Sequence, residues 1–151
     1  MDATDRKILA LLVEDGRRTF DDIAGQVALS APAVKRRVDR LSDNGSLQGF
    51  TAVVDPQLLG YGTEALVELF YAPGVTLDAV TESLRRRPEV VEAWSVSGDP
   101  DAIAHVRTRD NGDLERLIRQ LQADGAVVRT RSQIVLSRLV HRRGEADPYV
   151  R

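Results

Sequence analysis

The sequence predicts an α+β fold, with a helical N-terminal part followed by a C-terminal part in which strands and helices alternate. Three observations lead to this prediction. Apolar residues recur at helical spacing along Asp5–Glu14, Phe20–Val27 and Ser30–Leu41. Proline and glycines then interrupt the chain at 55–62, and the hydrophobic period changes beyond them. From residue 63 the patterns follow the order βαββαβ, the ferredoxin-like arrangement of a four-stranded antiparallel sheet with helices on one face.

The composition disfavours several classes of protein. Of the 151 residues, 42% are hydrophobic and 29% are charged, as in a globular protein. The absence of cysteine removes disulfides, thiolate metal sites and a cysteine nucleophile. An aromatic content of 5% disfavours a stacking platform for single-stranded nucleic acid. No apolar run approaches the ~20 residues of a membrane span and the acidic N-terminus does not resemble a signal peptide, so we expect a cytoplasmic protein with no membrane partner.

The net charge of −2 does not by itself predict a nucleic-acid partner. The first 54 residues hold eight Lys or Arg and eight Asp or Glu, and the acidic surplus lies in the remainder. Any affinity for DNA must therefore come from local basic clusters, added together over several subunits.

The first helix is expected over Asp5–Glu14, capped by Thr4 and ended by Gly16. Together with the next two helices it predicts a small apolar core, made of Ile8, Leu12, Ile23, Val27, Val34, Val38 and Leu41.

The two short helices of Phe20–Leu41 are joined by a tight turn at Ala28-Leu29, which predicts a helix-turn-helix motif. Ser30 is the expected N-cap of the second helix. Pro32 falls in the first turn of that helix, where a missing N–H costs nothing.

The exposed face of the second helix is basic. At about 100° per residue, Arg36 and Arg40 point away from the apolar stripe and Lys35 lies on the flank, with Asp39 as the single acid nearby. Such groups can donate to phosphates and to guanine edges in the major groove. A solvated surface with no partner is the alternative, but the short turn, the Ser cap and the basic face together favour DNA binding.

The turn signal Asp43-Asn44-Gly45 ends the helical part. Leu47 and Phe50–Val54 are expected to form the extended pieces of a two-stranded wing, giving a winged helix-turn-helix. Gln48 either contacts the DNA backbone there or is an ordinary surface residue. The predicted domains are 1–54 for DNA binding, 55–62 as a linker and 63–151 for effector binding and oligomerisation.

The remaining elements are predicted from strand and helix patterns separated by turns. They are a strand at Thr63–Tyr71, a helix at Leu77–Arg87, strands at Val90–Ser97 and Ala102–Arg107, a helix that begins at Asn111, and a long final strand at Val127–Leu139. The polar and basic tail Val140–Arg151 is expected to lie on the surface or against a neighbouring subunit.

Helices cover only one face of this sheet, so the other face needs a cover. Its candidate residues are Phe70, Trp94, Val96, Ile103 and Ile134. Pairing two such sheets across a two-fold axis is the simplest cover, and it predicts a homodimer.

This organisation resembles the leucine-responsive regulatory protein / asparagine-synthase regulator (Lrp/AsnC) family, the feast/famine transcription factors. The resemblance spans Asp2 to about Leu139 and rests on eight stretches in the family's order and spacing. They are DxxDRKIL at Asp2–Leu9, DGRRTFDDIA at Asp15–Ala24, VALS at Val27–Ser30, KRRVDRL at Lys35–Leu41, NGSLQGF at Asn44–Phe50, DPQLLG at Asp55–Gly60, VSGDPD at Val96–Asp101 and TRSQIVL at Thr130–Leu136.

The resemblance implies that the helix Ser30–Asn44 enters the major groove of double-stranded DNA. The implied DNA-binding residues are Ser30, Ala31, Pro32, Lys35, Arg36, Arg40 and Gln48. It also implies an amino-acid metabolism regulator (RAM) domain, which binds a small effector, typically an amino acid, where dimers meet. The implied effector residues are Val96, Ser97, Gly98, Asp99, Asp101, Gln133, Ile134 and Val135. We expect a homodimer that assembles to an octamer.

The loop around Gly98 suits such an effector, since turn N–H groups can hold an α-carboxylate and an Asp can pair with an α-ammonium. The stretch Gly98–Asp101 is also simply a good hairpin turn. The chain departs from the family pattern at Pro100, where relatives often carry a bulky residue, and at Ser46, where an aliphatic residue is usual. It departs again at Ala28, where a turn at positive φ would favour glycine.

Two other functions compete with this one. Some relatives of the sheet fold decarboxylate tetrapyrroles, but such an enzyme would need buried His and Arg near a large pocket, and this chain has only His105 and His141. His105 is expected to be a packed or interface residue. An effector-independent architectural protein would share the helix pair and differ only in the use of the sheet. We therefore predict a transcriptional regulator controlled by an amino acid, with no catalytic residue, metal or cofactor.

Overall fold

The structure is a computed structural model in which residues 1–140 are described. The chain divides into two compact units, an N-terminal unit around Met1–Val53 and a C-terminal unit at Val54–Arg138, each with its own apolar core. His141 and the predicted tail beyond Val140 lie outside the described residues.

Three helices form the N-terminal unit. They are α1 (Ala3–Glu14), α2 (Phe20–Val27) and α3 (Ala31–Asp43). Asp2, not the predicted Thr4, caps α1, because the Asp2 carboxylate accepts from the N–H of Asp5 at 2.8 Å and the Asp5 carboxylate accepts from the N–H of Asp2 at 3.0 Å. Asp15 in an extended conformation is the C-cap, so the prediction that Gly16 ends the helix was also wrong.

The core of this unit largely follows the predicted set. The buried residues are Ile8, Leu11, Leu12, Ile23, Ala24, Val34, Val38 and Leu41, and Val27 packs against them half-buried. The three amphipathic stripes therefore meet as the helical spacing predicts.

The predicted wing is not formed. Between α3 and Pro56 the structure has no strand, although Leu47 donates its backbone N–H to the carbonyl of Leu41 at 2.9 Å and packs against the helical core. Phe50 and Val53 stay exposed. A short extended segment gains little without a partner strand, which explains the absence of a ribbon in this single chain.

The predicted linker contains a 3-10 helix at Pro56–Leu59. Asp55 caps it by accepting from the N–H of Gln57 at 3.0 Å, and Gly60 ends it in the left-handed region at φ 83°. The backbone of Gly62 lies against that of Arg109. A Cβ at position 62 would be 2.5 Å from the carbonyl oxygen of Arg109, so only glycine fits there.

The C-terminal unit has the predicted βαββαβ order. Its elements are β1 (Thr63–Tyr71), α4 (Leu77–Arg85), β2 (Val90–Ser95), β3 (Ala102–Thr108), α5 (Asn111–Ala123) and β4 (Val127–Ile134). The sheet order is β2-β3-β1-β4, and all neighbouring strands are antiparallel.

Three predicted elements are too long. α4 ends at Arg85 rather than Arg87, and β2 ends at Ser95 rather than Ser97. β4 stops at Ile134, far short of the predicted Leu139. Its partner β1 begins at Thr63, so after the bond from the N–H of Val135 to the carbonyl of Glu64 at 2.8 Å there is no strand left to pair with.

One face of the sheet packs under α4 and α5. Alternate residues of β1 and β3 join the two helices there, and the buried set is Ala65, Val67, Leu69, Val80, Leu84, Ala102, Ala104, Val106, Leu114, Leu117, Leu121, Ala126 and Val127. The period of two along each strand fixes which residues remain for the opposite face.

We call that opposite face the open face. It carries Glu64, Leu66, Glu68 and Phe70 of β1 with their cross-strand neighbours Ile103, His105 and Arg107 of β3, Arg129, Arg131 and Gln133 of β4, and Trp94 of β2. Phe70 is covered by the guanidinium of Arg129, whose Cζ lies 3.6 Å from the ring centroid. Ile134 pairs with Ala65 and thus lies on the helix side, so its predicted place on the open face was wrong.

Candidate functional site

The turn between α2 and α3 sets the direction of the exposed basic helix. Ala28 ends α2 in the left-handed conformation, at φ 54° and ψ 44°, and the N–H of Leu29 returns to the carbonyl of Ala24 at 3.1 Å. This is the positive-φ turn that the departure from glycine indicated. Ser30 has the extended backbone of an N-cap, but its hydroxyl makes no capping bond, which corrects that part of the prediction.

The first turn of α3 presents its helix dipole without a nearby acid. Of the five α-helices within residues 1–140, the other four each carry an Asp in the first turn, whereas the first turn of α3 has none. Ser30 and Pro32 are exposed there, and Ala31 is half-buried. No acidic side chain within this first turn therefore neutralises the partial positive charge of the helix end.

Lys35 and Arg36 are both exposed on α3 but differ in their contacts. Lys35 Nζ lies 2.6 Å from the carboxylate of Asp39 in a surface i,i+4 pair. Arg36 makes no hydrogen bond or ion pair with any residue in the described part of the chain. Its guanidinium therefore faces solvent with its donors unused, as predicted.

Arg40 does not simply point away from the protein. Its Nη2 lies 2.9 and 3.0 Å from the two carboxylate oxygens of Asp5, although the side chain remains 57% exposed. Arg37 joins the same carboxylate at 2.7 Å and also reaches Asp2 at 2.6 Å. The prediction of two outward guanidinium groups was therefore wrong for Arg40, because a buried acid on α1 attracts it.

The carboxylate of Asp5 is the electrostatic centre of this cluster. The side chain is only 1% exposed. The backbone N–H of Asp2 lowers the pKa of Asp5 most, Arg37 and Arg40 lower it further, and together they outweigh the opposing effect of burial, leaving the pKa at about 2. Asp5 is thus ionised near neutral pH. Its hydrogen bonds from Arg37 and Arg40 join α3 to the start of α1.

The predicted effector loop connects β2 to β3 and is closed by backbone bonds. The N–H of Val96 donates to the carbonyl of Asp101 at 3.2 Å, and Gly98 adopts φ 151°. The Asp101 carboxylate accepts from the backbone N–H of Tyr71 at 2.8 Å, so it is already engaged by its own chain. Asp99 is exposed, with Ser97 beside it.

The predicted loop residue Asp99 approaches β4 through Arg131, which was not among the predicted effector residues. Arg131 lies 3.7 Å from the carboxylate of Asp99 and 2.5 Å from that of Glu68. Gln133 donates to Glu68 at 3.3 Å. Ile134 is exposed on the far side of the edge strand. The signal for Glu68 was present in the sequence, as one of two carboxylates, with Glu64, in a largely apolar strand.

A second charged cluster on the open face surrounds Glu64. His105 Nε2 lies 2.5 Å from its carboxylate, and Arg107 and Arg138 lie at 3.2 and 2.9 Å. Burial works to raise the pKa of Glu64, but the bonds from His105 and Arg107 and the charge of Arg138 outweigh it, so the pKa is lowered. His105 is packed in this cluster. Over residues 1–140, no group of three or more His, Cys, Asp or Glu side chains could hold a metal ion.

No helix within the described residues is long and apolar enough to span a membrane. The helix-turn-helix of the N-terminal unit and the four-stranded sheet of the C-terminal unit, with its exposed loop, define the class of a DNA-binding protein with a second, α+β domain.

Comparison with known proteins places the chain within that class. A model of the AsnC-type helix-turn-helix domain matches residues 1–42, and a model of the Lrp/AsnC ligand binding domain matches residues 64–145. The HTH-type transcriptional regulator Rv2324 of Mycobacterium tuberculosis is 44% identical over 142 residues, which cover 94% of this chain and 96% of that protein.

Solved structures agree over both units. The complex of the transcriptional regulator NMB0573 with L-Met from Neisseria meningitidis has a TM-score of 0.85 at 28% identity and covers 93% of each chain. AsnC of E. coli has a TM-score of 0.86 at 25% identity, with 94% of this chain and 96% of that chain covered. The chain belongs to the Lrp/AsnC family of transcriptional regulators and carries the ligand-binding domain of that family.

Proposed function

We propose that the chain is a sequence-specific regulator that binds double-stranded DNA through α3 and responds to an amino acid. The observation that carries this proposal is the solvent-facing side of α3. There, Arg36 has no partner among the described residues and the first helical turn has no acid.

The residues of α3 divide naturally between the two kinds of DNA contact. Arg36, with all its donors unused, suits a bidentate bond to a guanine edge. Ser30, with a hydroxyl that is free of the cap, suits a phosphate beside the positive helix end, as do Ala31 and Pro32 through close backbone approach. Lys35 and the exposed part of Arg40 supply further positive charge, and Gln48 lies in the following segment.

The effector and the assembly complete the proposal. A structural relative is described as a complex with L-Met, which supports an amino acid as the class of effector. Within the predicted set, Val96–Asp99 and Gln133–Val135 are the residues we assign to effector contacts, while Asp101 holds the loop in place through the backbone of Tyr71. We further propose that a second copy covers the open face, and that such dimers assemble to octamers in the cytoplasm.

A binding-site selection from random duplex DNA tests the DNA proposal. With the full chain as bait, we expect enrichment of a pseudo-palindrome whose half-sites lie about one helical turn apart. Recovery of DNA with no shared motif would contradict sequence-specific binding and support the architectural alternative.

The effector proposal is tested by a thermal-shift screen of the twenty amino acids, followed by titration of the selected DNA with and without each hit. We expect at least one amino acid to raise the melting temperature and to change DNA affinity or the light-scattering mass. If no amino acid changes the melting temperature, the DNA affinity or the light-scattering mass, the effector proposal is contradicted. The proposal of DNA binding is unaffected by that result.

A further inference from the structure

One acid, Asp39, lies on the exposed side of α3, and the DNA contacts proposed above leave it without a role. It is the only Asp or Glu between Ala31 and Ser42. Its side chain is 51% exposed, and across residues 1–140 its hydrogen bonds and ion pairs are limited to one, with the ammonium of Lys35 at 2.6 Å. The phosphates of a bound duplex would repel this carboxylate, so its presence on the DNA-facing side calls for an explanation.

The pair with Lys35 does not provide that explanation. Both side chains are exposed, and exposed ion pairs contribute little to stability. The lysine also precedes the aspartate by four residues, which is the less favourable order for such a pair on a helix. Helix stability is therefore a weak reason for an acid at position 39.

The angular position of Asp39 places it beside Arg36. The buried side of α3 is formed by Val34, Val38 and Leu41. At about 100° per residue, Asp39 lies roughly 130° from the middle of that side and about 60° from Arg36. Both side chains are thus presented to the same partner.

Asp39 also completes a spacing that is typical of base-reading helices. Pro32, Lys35, Arg36 and Asp39 stand at positions i, i+3, i+4 and i+7 of α3. The recognition helix of a homeodomain uses the same spacing in the major groove. The first three of these residues are already assigned to DNA contacts, which leaves Asp39 as the fourth.

A carboxylate only accepts hydrogen bonds when it is ionised, so it discriminates among the base edges of the major groove. The donors there are the N6 amino group of adenine and the N4 amino group of cytosine. Adenine carries the acceptor N7 beside its amino group, and this atom would repel the second carboxylate oxygen. Cytosine has no acceptor on that edge, which makes it the base that suits Asp39.

We propose that Asp39 is a specificity-determining residue that accepts from the N4 amino group of a cytosine next to the guanine bound by Arg36. Three residues advance a helix by ~4.5 Å and one base-pair step is about 3.4 Å, so the two side chains reach neighbouring base pairs. Lys35, released from Asp39, then binds a phosphate. This inference rests on the proposed DNA-binding function and adds the identity of a second base.

Exchange of the residue should exchange the base. We would measure fluorescence anisotropy with the full chain on the selected DNA site, with each of the four base pairs placed at every half-site position. We expect the natural chain to prefer cytosine about tenfold at one position. Asp39→Ala should bind all four base pairs there to within about twofold, and Asp39→Asn should prefer adenine, because an amide donates to N7 and accepts from N6.

The donor atom is tested by replacing that cytosine with a 2-pyrimidinone nucleotide, which lacks the 4-amino group. The natural chain should lose about tenfold in affinity on this duplex. Asp39→Ala should bind both duplexes equally, which separates loss of the contact from the weaker base pairing of the analogue.

Glu115→Gln is the matched control, because it removes the same charge and the same kind of exposed i,i+4 pair, with Arg119, from α5. It should leave every base preference unchanged. Lys35→Gln tests whether Asp39 acts only by positioning the lysine. We expect Lys35→Gln to weaken all sequences about equally and to keep the cytosine preference. Since the Lys35–Asp39 pair is exposed, these variants should keep the melting temperature of the natural chain.

The outcomes distinguish this inference from the proposed function. A natural chain with no base preference at any position would overturn sequence-specific binding and this inference with it. A cytosine preference that persists in Asp39→Ala, or that disappears in Lys35→Gln, would overturn this inference alone. A selected half-site without a preferred cytosine would do the same.

Discussion

Asp5 is a buried charged residue that links two helices of the N-terminal unit. Its buried carboxylate accepts from Arg37 and Arg40 of α3 and from the backbone of Asp2, so one group joins a helix start to the basic helix. Without it, two guanidinium groups would lose their shared partner. The same pair of bonds holds Arg40 in one orientation on the proposed DNA-binding face.

We expect Asp5→Asn to lower the free energy of unfolding of the N-terminal unit by about 1–3 kcal/mol, because the guanidinium groups of Arg37 and Arg40 lose the buried, ionised carboxylate that accepts their hydrogen bonds. Urea unfolding followed by NMR signals of the α1 amides measures this unit specifically. The matched control is Asp39→Asn, which removes the exposed pair with Lys35 and should cost about 0.5 kcal/mol or less. Equal effects of the two variants would contradict the assigned role of Asp5.

The pKa of Asp5 gives the same interaction a defined pH dependence. Because the pKa falls from the ordinary 3.8 to about 2 in the folded chain, the stabilisation is complete above about pH 4 and is lost as the pH falls toward 2. The stability difference between the natural chain and Asp5→Asn should therefore be constant at higher pH and shrink over that interval. A difference that persists unchanged to pH 2 would show that folding does not lower the pKa of Asp5, which would contradict its ion pairs with Arg37 and Arg40 as the cause of the stabilisation.

Among the elements, the α2–α3 turn carries backbone strain at one alanine. Ala28 has φ 54°, where a Cβ is unfavourable, and its side chain is exposed and makes no core contact. We expect Ala28→Gly to stabilise the N-terminal unit by roughly 0.5–1 kcal/mol, the strain relief exceeding the added unfolded-state entropy. The same NMR-detected unfolding measures it, and a destabilised variant would indicate that the turn conformation differs.

The order of elements was predictable because hydrophobic periodicity and turn residues agree along most of the chain. The helices around Ile8, Ile23 and Val34 and the whole βαββαβ order follow from these signals. Element ends were less predictable where they depend on a distant partner. β4 stops because β1 begins at Thr63, and the segment Phe50–Val54 forms no strand because this chain gives it none to pair with.

In the candidate site, too, side-chain positions that depend on local sequence were predictable, and those that depend on a distant residue were not. The outward position of Arg36 follows from its angle relative to Val34 and Val38, and the structure agrees. The orientation of Arg40 depends on its hydrogen bonds to the buried Asp5 of α1. No local sequence pattern around Arg40 predicts these bonds. The spacing of Arg37 from Val34 and Leu41 was the available signal that this side chain lies closer to the core.

The proposed partner of the open face is a second copy of the chain. Leu66 and Trp94 are exposed there between charged clusters around Glu64 and Glu68. We expect Leu66→Arg to shift the light-scattering mass from oligomer to monomer, because it places like charges across the proposed two-fold. In the monomer, the nearby carboxylates of Glu64 and Glu68 offset the charge of the introduced arginine, so the fold should be retained.

The control for this change is Ala123→Arg, which adds the same side chain to the exposed end of α5 and should leave the mass unaltered. A Leu66→Arg protein that keeps the full oligomeric mass would contradict pairing through the open face.

Fluorescence anisotropy on the selected DNA site measures whether α3 binds specific DNA through Arg36. Arg36→Ala is compared with Arg119→Ala, which removes a surface arginine from α5 in the other unit. We expect Arg36→Ala to weaken specific binding by about 1–3 kcal/mol and to relax the base preference at one position of each half-site, with Arg119→Ala unchanged. Equal affinity and base preference for the natural chain and Arg36→Ala would contradict specific DNA binding through this residue.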